Sequence, residues 1–238
     1  MLEYFCQRIK EKATDNKTAP VLIIPFGDSV TQGCTVNGVI EHQNAYHNVL
    51  KQKLEAGYPQ TTFSVYNAGV GGETAPEGLK RIERDVIRHD PDLVIIGFCL
   101  NDSGGDLDGL EIYSNSIREI ITRVRNETNA DVILLTPNFM ASKDNPNIAE
   151  AHQSIKDNLI RRQTSGLLRV YVETLYKIAK AMNVPVADVY AEWQDMENRG
   201  IDTTELLVNG LNHPGKDGQK LIADTVFNLI INTNTLSI

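Results

Sequence analysis

The sequence predicts an α/β fold: one doubly wound domain in which a parallel sheet of about five strands lies between helices. Two observations predict it. Short, nearly continuous apolar runs recur along the chain, as VLIIPFG at 21–27, DLVIIGFCL at 92–100 and DVILLTPN at 131–138, and strands buried on both faces have this composition. Between them lie amphipathic stretches of helical length, and strand–helix alternation of this kind builds parallel sheets covered on both sides. A third observation is negative: the 238 residues contain no repeat, no low-complexity tract and no linker long enough to divide the chain.

Taken in order, residues 2–14 carry Leu2, Phe5, Cys6 and Ile9 at a weak helical period, and a polar link leads to Pro20. We read 1–20 as a helix and link packed on the domain that occupies 21–238. The first strand, 21–27, ends in Gly27. Residues 44–56 form a helix with Tyr46, Val49, Leu50 and Leu54 on one side, stopped by Gly57 and Pro59. The second strand is 62–69, and the helix 75–88 opens with Pro76 in its first turn. Its charges, including Lys80, Arg81, Glu83, Arg84 and Asp85, read as a solvated, paired face. The third strand is 92–100, followed by a long helix over 109–127 and a fourth strand over 131–138. A polar loop at 139–147 precedes a helical region, 148–182, broken near Gly166. A short fifth strand at 184–191, helical residues 192–201 and a closing helix at 216–232 complete the chain.

Composition narrows the function classes. Lys+Arg number 23 against 31 Asp+Glu, a net charge of −8. Sequence-independent binding to nucleic acid or an anionic membrane needs clustered cations, so neither is an expected partner. No apolar run reaches the roughly 18 residues of a membrane span, and the N-terminus has no apolar signal core. Cys6, Cys34 and Cys99 are odd in number and widely spaced, which argues against a disulfide framework and a cysteine zinc site. His42 and His47 are five apart and do not share a helix face as a metal pair. The expected setting is therefore the cytoplasm, with no metal and no cofactor.

Chemistry in a doubly wound sheet belongs at the carboxyl ends of the strands. Four segments there carry suitable groups. Gly27-Asp28-Ser29 follows the first strand; Ser29 can present a hydroxyl above the sheet, and Asp28 or Ser29 can equally be a helix cap. Asn67 to Thr74 follows the second strand with Gly69, Gly71 and Gly72, either a cradle of backbone N–H groups or a tight turn. Asn101, after the third strand, can donate its amide to an anion or close an Asx turn. His213, before the last helix, is suited to be a base near neutral pH, or is a surface histidine.

The four together, in this order, resemble the SGNH hydrolases, also called the GDSL esterase/lipase family. The matching blocks are GDS at 27–29, NAGVGGET at 67–74, LND at 100–102 and His213-Pro214, so the likeness runs from about residue 21 to 226. It implies a three-layer α/β/α sandwich, flavodoxin-like, with a five-stranded parallel sheet. It also implies Ser29 as nucleophile, His213 as its base, and an oxyanion hole made by the N–H groups of Ser29 and Gly72 with the Asn101 amide. The implied activity is hydrolysis of small acyl esters through an acyl-serine intermediate, including O-acetyl groups on carbohydrate. Thioester or lysophospholipid hydrolysis, and a catalytically weakened carbohydrate-binding protein, are the alternatives.

Two departures from the family pattern stand out. Cys99 occupies a position where the family usually has glycine, and reads as a small core residue. The aspartate usual a few residues before the histidine is missing, since positions 209 and 210 are Asn209 and Gly210. The orienter of His213 is then the Asn209 amide oxygen or a backbone carbonyl.

Overall fold

The computed structural model describes residues 2–233. Three long strands, β1 (Val21–Gly27), β4 (Leu93–Gly97) and β5 (Asp131–Leu135), are the parallel centre of the sheet. Edge strands complete it in the order β2-β1-β4-β5-β6, where β2 is Phe63–Val65 and β6 is Val186–Ala187. Every pairing is parallel. This is the doubly wound order in which the strand order reverses beside the first strand, so the crevice for chemistry opens at the carboxyl ends of β1 and β4.

The expected second strand, 62–69, is interrupted. β2 pairs with the start of β1 (Val21 with Phe63), and a separate β3 (Ala68–Gly69) pairs with its end (Gly27 with Gly69). The break frees the exposed Asn67 side chain to bond to neighbouring backbone groups. Its amide donates to the Gln32 carbonyl, and its oxygen accepts from the Gly69 N–H, each at about 3 Å. The expected fifth strand, 184–191, is shortened to β6. Asp188 caps a helix instead, its carboxylate accepting from the Ala191 N–H, and helix α8 (Val189–Asn198) starts before the expected 192.

Helices α3 (Tyr46–Gly57) and α9 (Lys216–Thr233) pack against each other on one face. Helices α4 (Ala75–Asp85), α5 (Leu110–Glu127) and α7 (Leu167–Met182) cover the other. The break expected near Gly166 separates α6 (Lys156–Thr164) from α7. Helix α1 (Glu3–Thr14) buries Phe5 and Ile9, with the preceding Leu2, in the same apolar cluster as the sheet. It is held there by the Arg8–Asp92 ion pair at 2.8 Å and by the Phe5 N–H on Asp131. Among the described residues no helix is long and apolar enough to cross a membrane.

His47 in α3 is buried, 3% exposed. Burial disfavours its cation and lowers its pKa from 6.5 to about 4. The unfolded chain therefore takes up this proton first as pH falls, and folding stability drops from about pH 6.5 downward. The loss reaches about 3 kcal/mol by pH 4. Asp28 and Asp102 act with the opposite sign, because burial raises both carboxyls to about 7. Thermal unfolding of wild type and His47→Leu between pH 7 and 4 isolates the histidine: the wild-type Tm should fall more steeply, and parallel curves would refute the assignment.

Candidate active site

Ser29 opens α2 (Ser29–Gln32), a single turn seated directly on the end of β1. The preceding Asp28 caps that turn, its Oδ1 accepting the Val30 N–H at 2.9 Å. The turn lies against β3 so closely that a Cβ at Gly69 would come within 2.3 Å of the Gln32 nitrogen. The Gln32 side chain accepts the Gly71 N–H at 2.8 Å, tying the serine turn to the glycine loop. The next loop joins from β4: the Asn101 amide donates to the Glu73 carbonyl at 3.0 Å, one residue beyond Gly72. Asp102, beside it, accepts the Ala75 N–H at the start of α4. The Ser29 and Gly72 N–H groups take no acceptor among the described residues. Hydrogen bonds thus tie the serine turn to the glycine loop and the glycine loop to Asn101.

His213 closes the arrangement from the far end of the chain. Its Nε2 lies 3.0 Å from Ser29 Oγ and its Nδ1 lies 2.9 Å from the Thr35 carbonyl oxygen. A carbonyl can only accept, so Nδ1 carries the proton and Nε2 presents a lone pair to the serine hydroxyl. That is the tautomer a general base needs. Burial lowers the His213 pKa below 6.5, and the neighbouring His152 works in the same direction against the Thr35 carbonyl. The ring is neutral at pH 7.

Of the two expected partners, the Asn209 amide oxygen and a backbone carbonyl, His213 Nδ1 meets a carbonyl, that of Thr35, and Asn209 is corrected as the orienter. The fully buried Asn209 points its amide oxygen at the Leu211, Asn212 and His213 N–H groups, at 3.1, 3.0 and 2.9 Å. With three donors on that oxygen it has none to spare for an imidazole; it shapes the loop that carries the ring. Position 210, three residues before the histidine, cannot hold an aspartate either. Gly210 has a φ of +69°, and a Cβ there would lie 2.5 Å from the Asn147 carbonyl carbon. Gly210→Asp should cost roughly 2–4 kcal/mol in stability and lower turnover. An urea titration with a rate assay checks it, and a faster, equally stable variant would refute it.

Two residues behind the site were misread or missed in sequence. Arg81, expected on a solvated face, is 7% exposed. Its guanidinium spans Glu73 at 2.5 Å, Asp85 at 2.9 Å, the Ala68 carbonyl at 2.8 Å and the Gly27 carbonyl at 3.1 Å. Gly78, with its missing Cβ, lets Phe98 stand edge-on to Phe26, over which Arg81 lies. His152, expected inside the helical region 148–182, lies instead in a short 3₁₀ turn (Glu150–His152) ahead of α6, and stands edge-to-face with His213 at 6.0 Å between ring centres. Cys99 is 1% exposed, and burial pushes its thiol well above its ordinary range, so it is an inert core group. With Asp28, Thr136 and Asn138 it lines a cavity of about 20 Å³ beneath the serine turn, room for one water.

A model of the GDSL-like lipase/acylhydrolase family matches residues 26–221. Thioesterase 1/protease 1/lysophospholipase L1 of Escherichia coli is 27% identical over 216 residues, covering 87% of this chain and 81% of its own. Among solved structures, Axe2, an acetylxylan esterase from Geobacillus stearothermophilus, superposes with a TM-score of 0.67 at 22% identity, over 88% of this chain and 93% of that one. LAE5, an alpha/beta hydrolase enzyme from the metagenome of Lake Arreo, Spain, gives 0.69 at 21% identity, over 92% and 98%. At such identities the structures speak for the shared fold. With the family model covering most of the sequence, the chain belongs to the GDSL-like lipase/acylhydrolase family.

Proposed function

We propose that the protein is a serine esterase that removes small acyl groups, acetyl in particular, from hydroxylated alcohols such as sugars. The observation that carries the reading is the Ser29 Oγ–His213 Nε2 contact of 3.0 Å, with Nδ1 held on the Thr35 carbonyl. In this reading His213 takes the Ser29 proton as Oγ attacks the ester carbonyl. The Ser29 and Gly72 N–H groups and the remaining Asn101 amide hydrogen hold the developing oxyanion, and one such donor contributes about 3–4 kcal/mol. His213 then returns the proton to the leaving alcohol, and water cleaves the acyl-serine by the same route in reverse. The likeness to an acetylxylan esterase supports acetyl and sugar as the two halves of the substrate. The odd, scattered cysteines suit work in a cytoplasmic setting.

A second reading, supported by the Escherichia coli relative, is thioesterase or lysophospholipase activity on longer chains. A fluorophosphonate probe followed by peptide mass analysis tests the nucleophile: the label should fall on Ser29, and labelling elsewhere or not at all would overturn the reading. Rates on acetyl, butyryl and octanoyl esters separate the two substrate classes, acetyl being expected to be fastest.

A further inference from the structure

The family blocks leave out His152, yet the fold spends many bonds to place it. The loop between β5 and α6 is laid against the His213 loop, with the Ala141 N–H on the Leu211 carbonyl at 2.7 Å and the Ala149 N–H on the Asn209 carbonyl at 3.3 Å. The Asn145 amide donates to the Gly210 carbonyl at 2.9 Å. Ion pairs of Lys143 with Asp202 and of Lys156 with Asp144 hold the outer part of the loop. The buried Ile148 anchors its inner part. At its end His152 meets Asn209, whose Nδ2 lies 3.3 Å from the ring's Nδ1.

That contact settles the proton on His152. The Asn209 oxygen is identified by the three backbone N–H groups it accepts, so its other terminal atom is the NH₂ and can only donate. His152 Nδ1 is then an acceptor, and the neutral ring carries its proton on Nε2. Among the described residues that Nε2 has no partner. The result is a fixed hydrogen-bond donor beside the base, with the rings at an interplanar angle of 89°.

Its place relative to the reaction follows from the acyl-transfer geometry. The leaving oxygen receives its proton from His213 Nε2, so the alcohol half of the ester lies on the His213 side, away from Gly72 and Asn101. We propose that His152 determines specificity for the alcohol half, its Nε2–H binding a hydroxyl or ring oxygen of a polyol or sugar next to the scissile ester. The inference rests on the esterase reading above and assigns a residue to a part of the substrate that the four blocks do not touch.

The test compares an acetate whose alcohol has no oxygen to offer, phenyl acetate, with glycerol monoacetate and monoacetylated xylose. His152→Phe keeps a flat ring against His213 and removes the donor. It should lower kcat/KM on the two hydroxylated acetates about tenfold, chiefly through KM, and change phenyl acetate less than twofold, as loss of one neutral hydrogen bond predicts. His152→Gln, which keeps a donor, should recover part of the loss. Equal falls on all three substrates would assign the ring to His213 rather than to substrate, and an unchanged selectivity ratio would remove it from the site; either overturns the proposal. Failure of the esterase reading looks different: wild-type protein that hydrolyses none of the three and leaves Ser29 unlabelled by a fluorophosphonate overturns both.

Discussion

Ser29→Ala and His213→Ala should each lower kcat on phenyl acetate by on the order of 10⁴-fold or more, and the double variant should lose little beyond the worse single one. The physical reason is that the two side chains act as one unit. A serine hydroxyl is a weak nucleophile until its proton leaves, and the imidazole has no attack of its own to contribute without it. What survives in the variants is the contribution of the proposed oxyanion donors, which neither substitution deletes: the Ser29 N–H, the Gly72 N–H and the Asn101 amide. Losses that multiply in the double variant would mean that the two residues work independently and would refute the dyad. The same pair sets the pH profile. Burial holds the His213 pKa below 6.5, so kcat/KM should rise with pH to a plateau already reached near neutrality. The backbone carbonyl of Thr35 fixes the tautomer as a carboxylate would, but it carries no full charge to stabilise the imidazolium. Turnover should accordingly be lower than a carboxylate-backed triad reaches.

Arg81→Ala is expected to produce the largest loss of stability, about 3–5 kcal/mol, the range for breaking a buried ion pair by removing one partner. In a chain of this size that lowers Tm by roughly 6–20 °C. The substitution leaves Glu73, 23% exposed, without its cation and Asp85, 8% exposed, with Arg84 alone, and it removes a donor from the Gly27 and Ala68 carbonyls, of which Gly27 keeps the Val70 N–H. Those carbonyls belong to the strand ends from which the serine turn and the glycine loop start, so kcat should fall as well. Arg81→Lys tests the geometry separately. A single ammonium cannot serve four acceptors in one plane, so the conservative change should still cost more than half of the alanine effect. Calorimetry of the two variants checks this, and a Tm within 2 °C of wild type for alanine would show that Arg81 is dispensable.

Arg81 also shows where local patterning stops being informative. In sequence it sits among Lys80, Glu83, Arg84 and Asp85, a composition that surface helices share. Only the packing of α4 on β1 turns one of these cations inward, over Phe26, where it finds two carboxylates and two carbonyls. The strand breaks are of the same kind. Residues 62–69 read as one strand because each half has strand composition, but the Asn67 side chain competes with the ladder for nearby backbone groups and wins where α2 supplies the Gln32 carbonyl.

What the sequence determined by itself was the order of elements and the residues proposed for the chemistry. Apolar runs spaced by helical stretches are enough for a parallel sheet, because burying such strands on both faces has few topological solutions. Ser29, Gly72, Asn101 and His213 are legible because each sits in a short block at a strand end or before the last helix. Which backbone carbonyl partners His213 was not legible. It is a main-chain carbonyl at Thr35, 178 residues away in sequence, and a carbonyl is present at every position, so no residue type marks it. The same holds for His152, which reaches the site only because the backbone of its loop pairs with residues 209–211. Side-chain chemistry is written in residue types; contacts made by the main chain across the fold are decided by the packing of the whole molecule.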